Sequence, residues 1–265
     1  MAGDTSKNSL APDWYAGGIE HVWLPYAQMK TASPPLPVVR TQGSRIQLAD
    51  GRELIDGVAS WWTACHGYNQ PHIRQAVERQ LHDMPHVMFG GLAHEQALTL
   101  ARRLAALLPG DLAHVFFSDS GSVAVEVAMK MAVQYWINRG VRARHQFVAF
   151  KGGYHGDTTG AMAVSDTEDG MHARFAGLLP QHHIVDLPDS EERAVALDKF
   201  LGTRADSIAD SIAGIIVEPL VQGAGGMKFH DANVLKRLRA AADKYDLLLI
   251  FDEIFTGFGR TGTLF

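Results

Sequence analysis

The sequence predicts an α/β fold: a mainly parallel central sheet flanked by helices, with a small antiparallel piece near the N-terminus. Three observations carry this. Short apolar runs that end in Gly, Asp or Pro recur at AHVFFSDSG, QFVAFKGG, HHIVDLP, IAGIIVEP and DLLLIFDE. Helix-like stretches such as SVAVEVAMKMAVQYW and VLKRLRAAADKY alternate with them, and strand–helix–strand at this spacing implies crossover units. Ahead of these, RIQLADGRELIDGV sets Asp50-Gly51 between two apolar-alternating arms, the strongest short hairpin signal. With 265 residues, 46% hydrophobic and 20% charged, the chain can bury a core without disulfides or structural metals.

Taken in chain order, the first residues carry one lysine and no apolar stretch of signal-peptide type. No apolar run reaches the roughly 18 residues of a membrane span. The expectation is a cytoplasmic chain without a membrane segment. Pro34, Pro35 and Pro37 predict an extended lead into the hairpin. HIRQAVERQL and EQALTLARRLAALL have helical spacing of apolar positions. In VAVEVAMKMAVQYW the strongly polar residues Glu126, Lys130 and Gln134 recur every fourth position, which predicts a buried scaffold helix with one polar stripe. Glu126 and Lys130 stand in the favourable order for an ion pair. LLLIF before Asp252 is apolar throughout and predicts a strand buried on both faces.

Composition narrows the function classes. The formal net charge is −5, and acids and bases are interspersed, so no nucleic-acid-binding face is expected. Cys65 is the only cysteine, which excludes an internal disulfide and any CxxC motif and fits a reducing compartment. Thirteen histidines raise a metal reading, but His182-His183 and His86…His94-Glu95 lack ligand spacing, so no metal is expected.

In a parallel sheet the ligand sits at the carboxyl ends of the strands. Ser118-Asp119-Ser120-Gly121-Ser122 follows the run VFF and opens a helix, where free N–H groups and hydroxyls suit an anion; plain N-capping is the alternative. Neither a P-loop GK[ST] nor a G-x-S-x-G elbow is present. Asp252 ends its apolar run and needs a cation or strong donor if buried: a protonated ring nitrogen, a metal or an arginine. Glu253 would face the other way and is read as structural. In Lys151–Thr158, Tyr154 could stack on a planar ligand or pack as a loop tyrosine, and His155 could act as a base or simply hydrogen-bond. Glu218-Pro219 and Gln222–Gly226 follow another apolar run, where a turn alone would also explain them. Gly257–Gly262 matches G-x-G-x-x-G but does not directly follow its strand, so no nicotinamide site is expected there.

Taken together, HVWLPY (21–26), DGVASWW with HGYN (56–69), HVMFGG (86–91), SDSGSVAVEVAMKMA (118–132), GGYHGDT (152–158), EPLVQGAGGM (218–227) and DEIFTGFGRTG (252–262) resemble the fold-type I, pyridoxal-phosphate-dependent aminotransferases of subgroup III, the omega aminotransferases. The resemblance covers nearly the whole chain. It implies that Gly121 and Ser122 hold the phosphate of pyridoxal 5'-phosphate and that Asp252 pairs with its pyridine nitrogen. It implies that Tyr154 stacks near the ring and lines the substrate pocket, which Tyr26 and Trp61 shape. It also implies residues 1–64 as part of a small domain, 65–265 as an incomplete cofactor-binding domain, and a homodimer.

Within the family, HVWLPY and Trp61-Trp62 are similar to the branch that moves an amino group from S-adenosylmethionine to 8-amino-7-oxononanoate. That reaction gives 7,8-diaminononanoate for biotin by a ping-pong route. Two other readings stand beside it: an omega aminotransferase with an ω-amino acid donor, and a truncated, non-catalytic dimerising chain. The family's Schiff-base lysine lies after the DE…GFGRTG segment. None of Lys7, Lys30, Lys130, Lys151, Lys199, Lys228, Lys236 and Lys244 matches it, so the 265 residues alone are expected to be an inactive N-terminal portion.

Overall fold

The computed structural model describes residues 11–166, 172–202 and 211–265, and the chain divides into two units, Met1–His94 and Glu95–Phe265. The first unit opens with α1 (Asp13–Ala16) and a 3-10 turn (Ile19–His21). The proline-rich stretch that follows forms neither helix nor strand, and its Pro35 carbonyl accepts a 2.5 Å hydrogen bond from the Tyr15 hydroxyl. Then β1 (Val38–Gln42), β2 (Arg45–Leu48) and β3 (Glu53–Ile55) form an antiparallel sheet in that order. The hairpin turns at Asp50-Gly51 as expected: Asp50 Oδ1 accepts the Arg52 N–H at 3.0 Å, and Gly51 takes φ +88°, a region that glycine enters without steric cost. After it comes α2 (Pro71–Asp83), which has proline in its first turn and the Gln70 side chain accepting the Ile73 N–H.

The second unit holds α3 (Glu95–Leu107), α4 (Gly121–Asn138), β4 (Gln146–Phe150), α5 (Thr159–Ala163), a 3-10 segment (Ala173–Leu178), β5 (His183–Val185), α6 (Glu191–Gly202) and β6 (Ile212–Val217). A short antiparallel pair, β7 (Val221–Gln222) and β8 (Lys228–Phe229), precedes α7 (Ala232–Lys244) and β9 (Leu248–Phe251). The main sheet has the order β5-β4-β6-β9, with every pair parallel. From β4 the chain winds outward to β5, then returns to the other side of β4 for β6. Winding therefore reverses between β4 and β6, and such a switch point opens a crevice at the carboxyl ends of the strands.

Alternation along the strands splits the core into two layers. Val148, Phe150, Ile212, Ile215 and Val217 pack against Leu197 and Leu201 of α6 and Val234 and Leu238 of α7. Phe147, Ala149, Ala213 and Ile216 pack against Val125, Met129, Ala132 and Trp136 of α4. Helix α4 is thus the scaffold its pattern predicts. Trp136 is its anchor: the ring is 2% exposed, its Nε1–H donates to the Ala213 carbonyl at 2.8 Å, and the Arg144 guanidinium lies 3.9 Å from its centroid.

Three local expectations fail. No strand forms over 113–117; an extended segment becomes a strand only beside a hydrogen-bonded neighbour, and among the described residues none pairs with it. Strand β9 is half-buried rather than buried on both faces, with Phe251 45% exposed, because it lies at the sheet edge. Glu126 makes no ion pair with Lys130 among the described residues; its Oε1 accepts the Gly160 N–H at 2.7 Å instead. A half-buried carboxylate–amide bond outweighs a helix-surface pair of a few tenths of a kcal/mol.

Trp136→Ala removes both a core aromatic and the donor to Ala213. It is expected to destabilise the second unit by about 3–5 kcal/mol. Urea unfolding followed by far-UV circular dichroism measures this; a loss below about 1 kcal/mol would show that α4 is not held through Trp136.

Candidate functional site

Four chain segments meet at the carboxyl ends of β4, β6 and β9. Lys151–Asp157 leaves β4, Glu218 ends β6, Asp252 ends β9, and the start of α4 closes the group. The closures are tight enough to be glycine-dependent. A Cβ on Gly156, whose φ is +129°, would fall 2.2 Å from Ser122 Oγ, and the next N–H, of Asp157, donates to that same oxygen at 3.0 Å. A Cβ on Gly121 would fall 2.9 Å from Ile254 Cδ1. The α4 N-terminus is therefore seated between the β4 loop and the segment that follows Asp252. The sequence-predicted residues Gly121, Ser122, Tyr154 and Asp252 all belong to this cluster.

At α4 itself, Ser120 is the N-cap and its Oγ accepts the Val123 N–H at 3.2 Å. The capping reading of the serines is thus correct for Ser120. It leaves the N–H groups of Gly121 and Ser122, which have no intrahelical acceptor, at the positive end of an 18-residue helix.

Asp252 is 7% exposed, and no arginine or lysine forms an ion pair with it among the described residues. Its Oδ1 accepts the Ile254 N–H at 3.2 Å, and its Oδ2 lies 2.7 Å from His155 Nδ1, with His155 3% exposed. An ionised carboxylate only accepts, so when Asp252 is ionised the donor in this contact is the Nδ1–H. The histidine is hydrogen-bonded rather than placed as a free base. Its backbone N–H is fixed by Ser165 Oγ at 2.9 Å, and that hydroxyl donates to the Ala161 carbonyl at 2.8 Å.

Glu218 is more than the end of a strand. Its Oε2 accepts the Tyr154 N–H at 3.1 Å and its Oε1 the Gly223 N–H at 2.9 Å, so one carboxylate ties the β4 loop to the β6 loop across the switch point. Burial pushes its carboxyl above the usual carboxylate range, opposed by those two N–H groups. The Gln222 side chain donates to the Lys151 carbonyl at 2.9 Å, and a Cβ on Gly225 would collide with the Gly152 carbonyl at 1.8 Å. The second loop lies directly on the first. Tyr154 is half-buried, with the His172 ring stacked on it at 5.7 Å and 21°. Glu253 is structural as expected: its Oε2 accepts the Thr256 hydroxyl at 2.7 Å.

The first unit holds the other two predicted residues. Tyr26 and Trp61 form an edge-to-face pair with centroids 5.8 Å apart, and both are largely exposed.

Residues 26–265 match the sequence model of the class-III aminotransferases. An adenosylmethionine-8-amino-7-oxononanoate aminotransferase of Buchnera aphidicola subsp. Acyrthosiphon pisum (strain APS) is 43% identical over 253 residues, covering 93% of this chain and 58% of that protein. The crystal structure of the corresponding enzyme from Methanocaldococcus jannaschii DSM 2661 superposes with a TM-score of 0.87 at 32% identity, over 95% of this chain and 57% of that one. An amine transaminase from an uncultivated Pseudomonas species, solved in a PLP-bound form, gives a TM-score of 0.80 at 33% identity over 92% and 58% of the two chains. The chain thus spans somewhat under three-fifths of the length of these relatives. On the extent of the match and the strand-end geometry together, the chain belongs to the class-III aminotransferase family.

Proposed function

We propose that the protein formed by this chain is a pyridoxal-phosphate-dependent aminotransferase that moves an amino group from S-adenosylmethionine to 8-amino-7-oxononanoate. The observation that carries the cofactor reading is the buried Asp252 carboxylate, whose side-chain partner is the neighbouring imidazole of His155, beside a helix N-terminus. The donor set fits the group. A phosphate dianion suits the Gly121 and Ser122 N–H groups and the α4 dipole. A ring nitrogen that must stay protonated suits an anchored carboxylate in a low-dielectric pocket. When bound, the cofactor supplies an electron sink for the carbanion left when an amine's α-proton departs, and it carries the amino group between two half-reactions.

The chain's own residues do the rest. Asp252 holds the proton at the ring nitrogen. His155 aims the carboxylate through the 2.7 Å contact of its Nδ1 with Oδ2. Glu218 fixes the Tyr154 backbone, so that the phenol ring forms a wall of the site. The donor and acceptor assignment rests on likeness to the Buchnera and Methanocaldococcus enzymes and on HVWLPY and Trp61-Trp62. Tyr26 and Trp61 offer a broad aromatic face to an extended substrate. Homodimerisation and a cytoplasmic location are part of the same reading. No helix of the described residues is long and apolar enough to cross a membrane.

In the complete protein, Asp252→Asn is expected to lower transamination by about 10²–10⁴-fold, the rate equivalent of losing a buried charge partner worth roughly 3–5 kcal/mol. Steady-state turnover measures it, and a variant within threefold of wild type would remove Asp252 from the mechanism. The substrate assignment has a separate test. S-adenosylmethionine should serve as donor for 8-amino-7-oxononanoate, and Trp61→Ala should raise its KM by about tenfold, one aromatic contact to the substrate of roughly 1.4 kcal/mol, while cofactor affinity holds within twofold. Efficient donation by ω-amino acids, with none from S-adenosylmethionine, would identify a different omega aminotransferase.

A further inference from the structure

Ala59, Ser60, Trp61 and Trp62 take φ values of +48°, +47°, +53° and +67°. Four successive L-residues in the left-handed region are rare, because each brings its Cβ against the following carbonyl. Tyr26, the ring partner of Trp61, has φ +52° as well. None of these five residues is glycine, asparagine or aspartate, the types that enter this region readily. Such a turn persists only where its surroundings hold it in place.

The holding group is Asp56. Its Oδ1 accepts the Val58 N–H at 3.0 Å, and its Oδ2 accepts the Ser60 N–H at 2.8 Å and the Tyr68 hydroxyl at 2.5 Å. The Ser60 hydroxyl bonds the same Tyr68 oxygen. The turn closes on itself through Trp62 N–H to the Val58 carbonyl at 3.0 Å and Ala64 N–H to the Ala59 carbonyl at 2.9 Å. Tyr68 is in turn fixed from the opposite side, because its backbone exchanges two hydrogen bonds with Gly43, at 3.0 and 2.8 Å. One carboxylate therefore ties the leading half of the strained turn, at Val58 and Ser60, to a tyrosine pinned beside the β1–β2 hairpin. The Tyr68 hydrogen bond holds the Asp56 carboxyl below the usual carboxylate range, so it accepts all three donors at neutral pH. What this turn displays is Trp61 and Trp62, with 62% and 46% of their surface exposed. A strained segment that presents large aromatic surface to solvent gains nothing for the core, and strain of this kind accumulates where geometry serves a ligand.

We infer that Asp56 is a positioning residue for substrate selection: through Val58, Ser60 and Tyr68 it locks the left-handed turn that sets the Trp61–Tyr26 aromatic wall. The inference rests on the substrate reading above, in which that wall meets the donor. Asp56 touches no substrate itself. It acts by fixing the backbone from which Trp61 projects.

The test compares Asp56→Ala, Tyr68→Phe and the double variant Asp56→Ala/Ser60→Gly in the complete protein. The readouts are the KM for S-adenosylmethionine, kcat, pyridoxal phosphate affinity and the near-UV circular dichroism of the tryptophans. Asp56→Ala should raise the KM at least tenfold, alter kcat less than threefold, leave cofactor affinity within twofold and diminish the tryptophan near-UV signal. Tyr68→Phe should do the same to a smaller degree. Glycine enters the left-handed region without the Cβ clash, so Ser60→Gly should restore part of both the KM and the spectrum in the Asp56→Ala background. An Asp56→Ala variant with wild-type KM and spectrum would overturn the inference. So would a loss that Ser60→Gly leaves uncorrected and that falls equally on KM, kcat and cofactor affinity, since that marks a general folding defect. If wild-type protein does not use S-adenosylmethionine, the substrate reading fails, and the near-UV comparison alone then decides whether Asp56 holds the turn.

Discussion

A carboxylate taken out of water must be compensated, and the architecture of the second unit is arranged around that requirement at Asp252. The strand LLIF is apolar and carries its chain directly into a site where the next side chain is 4% exposed. An uncompensated charge there would cost several kcal/mol or be neutralised by a shifted pKa. The His155 imidazole supplies the compensation at 2.7 Å, and His155 is available only because the β4 loop is folded back over the sheet edge. The loop keeps that shape because Glu218 takes the Tyr154 N–H and because Ser165 takes the N–H of His155. The His155–Asp252 contact thus joins the β4 loop to the end of β9, and Glu218 joins the same loop to β6, at the carboxyl ends where the winding of the sheet reverses.

Glycines set how closely these parts approach. Gly156 lets the loop lie against Ser122, Gly121 lets α4 lie against Ile254, and Gly225 lets the following loop rest on the Gly152 carbonyl. Each position is one where a methyl group would meet an atom at under 3.0 Å. The helix N-terminus is brought to the buried carboxylate by these contacts rather than by any charge pairing. A helix N-terminus and a buried carboxylate then lie in one cluster, the polarity that suits the proposed phosphorylated, protonated heterocycle. The first unit solves a different problem with the same means: a carboxylate, Asp56, accepting backbone N–H groups to hold a conformation that the chain alone disfavours.

Much of this was legible in the sequence. The hairpin at Asp50-Gly51, the scaffold helix through Trp136 and the parallel strands all follow from short-range turn chemistry and periodicity. Gly121, Ser122, Tyr154 and Asp252 stand at strand ends and a helix start, where a parallel sheet places its ligands. What escaped was set by tertiary contacts. Glu126 looked like a partner for Lys130 because only the helix was in view; the Gly160 amide comes from 34 residues away. His155 and Asp252 are 97 residues apart, so no local spacing announces their pairing. The run VFF has strand composition, yet a strand also needs a neighbour, and the apolar run of β9 implies burial on both faces because composition does not reveal a strand's place in the sheet order. The left-handed turn at 59–62 has no sequence signature at all, since none of its residues is one that favours the conformation.

Asp252, anchored by His155, is proposed to keep the ring nitrogen of bound pyridoxal phosphate protonated. Nitrogen-15 NMR of the complete protein loaded with ring-labelled cofactor measures this directly. A shift characteristic of the protonated pyridine nitrogen at neutral pH, moving to the unprotonated position in Asp252→Asn, is the predicted result. An unprotonated nitrogen in the wild-type protein would contradict the account.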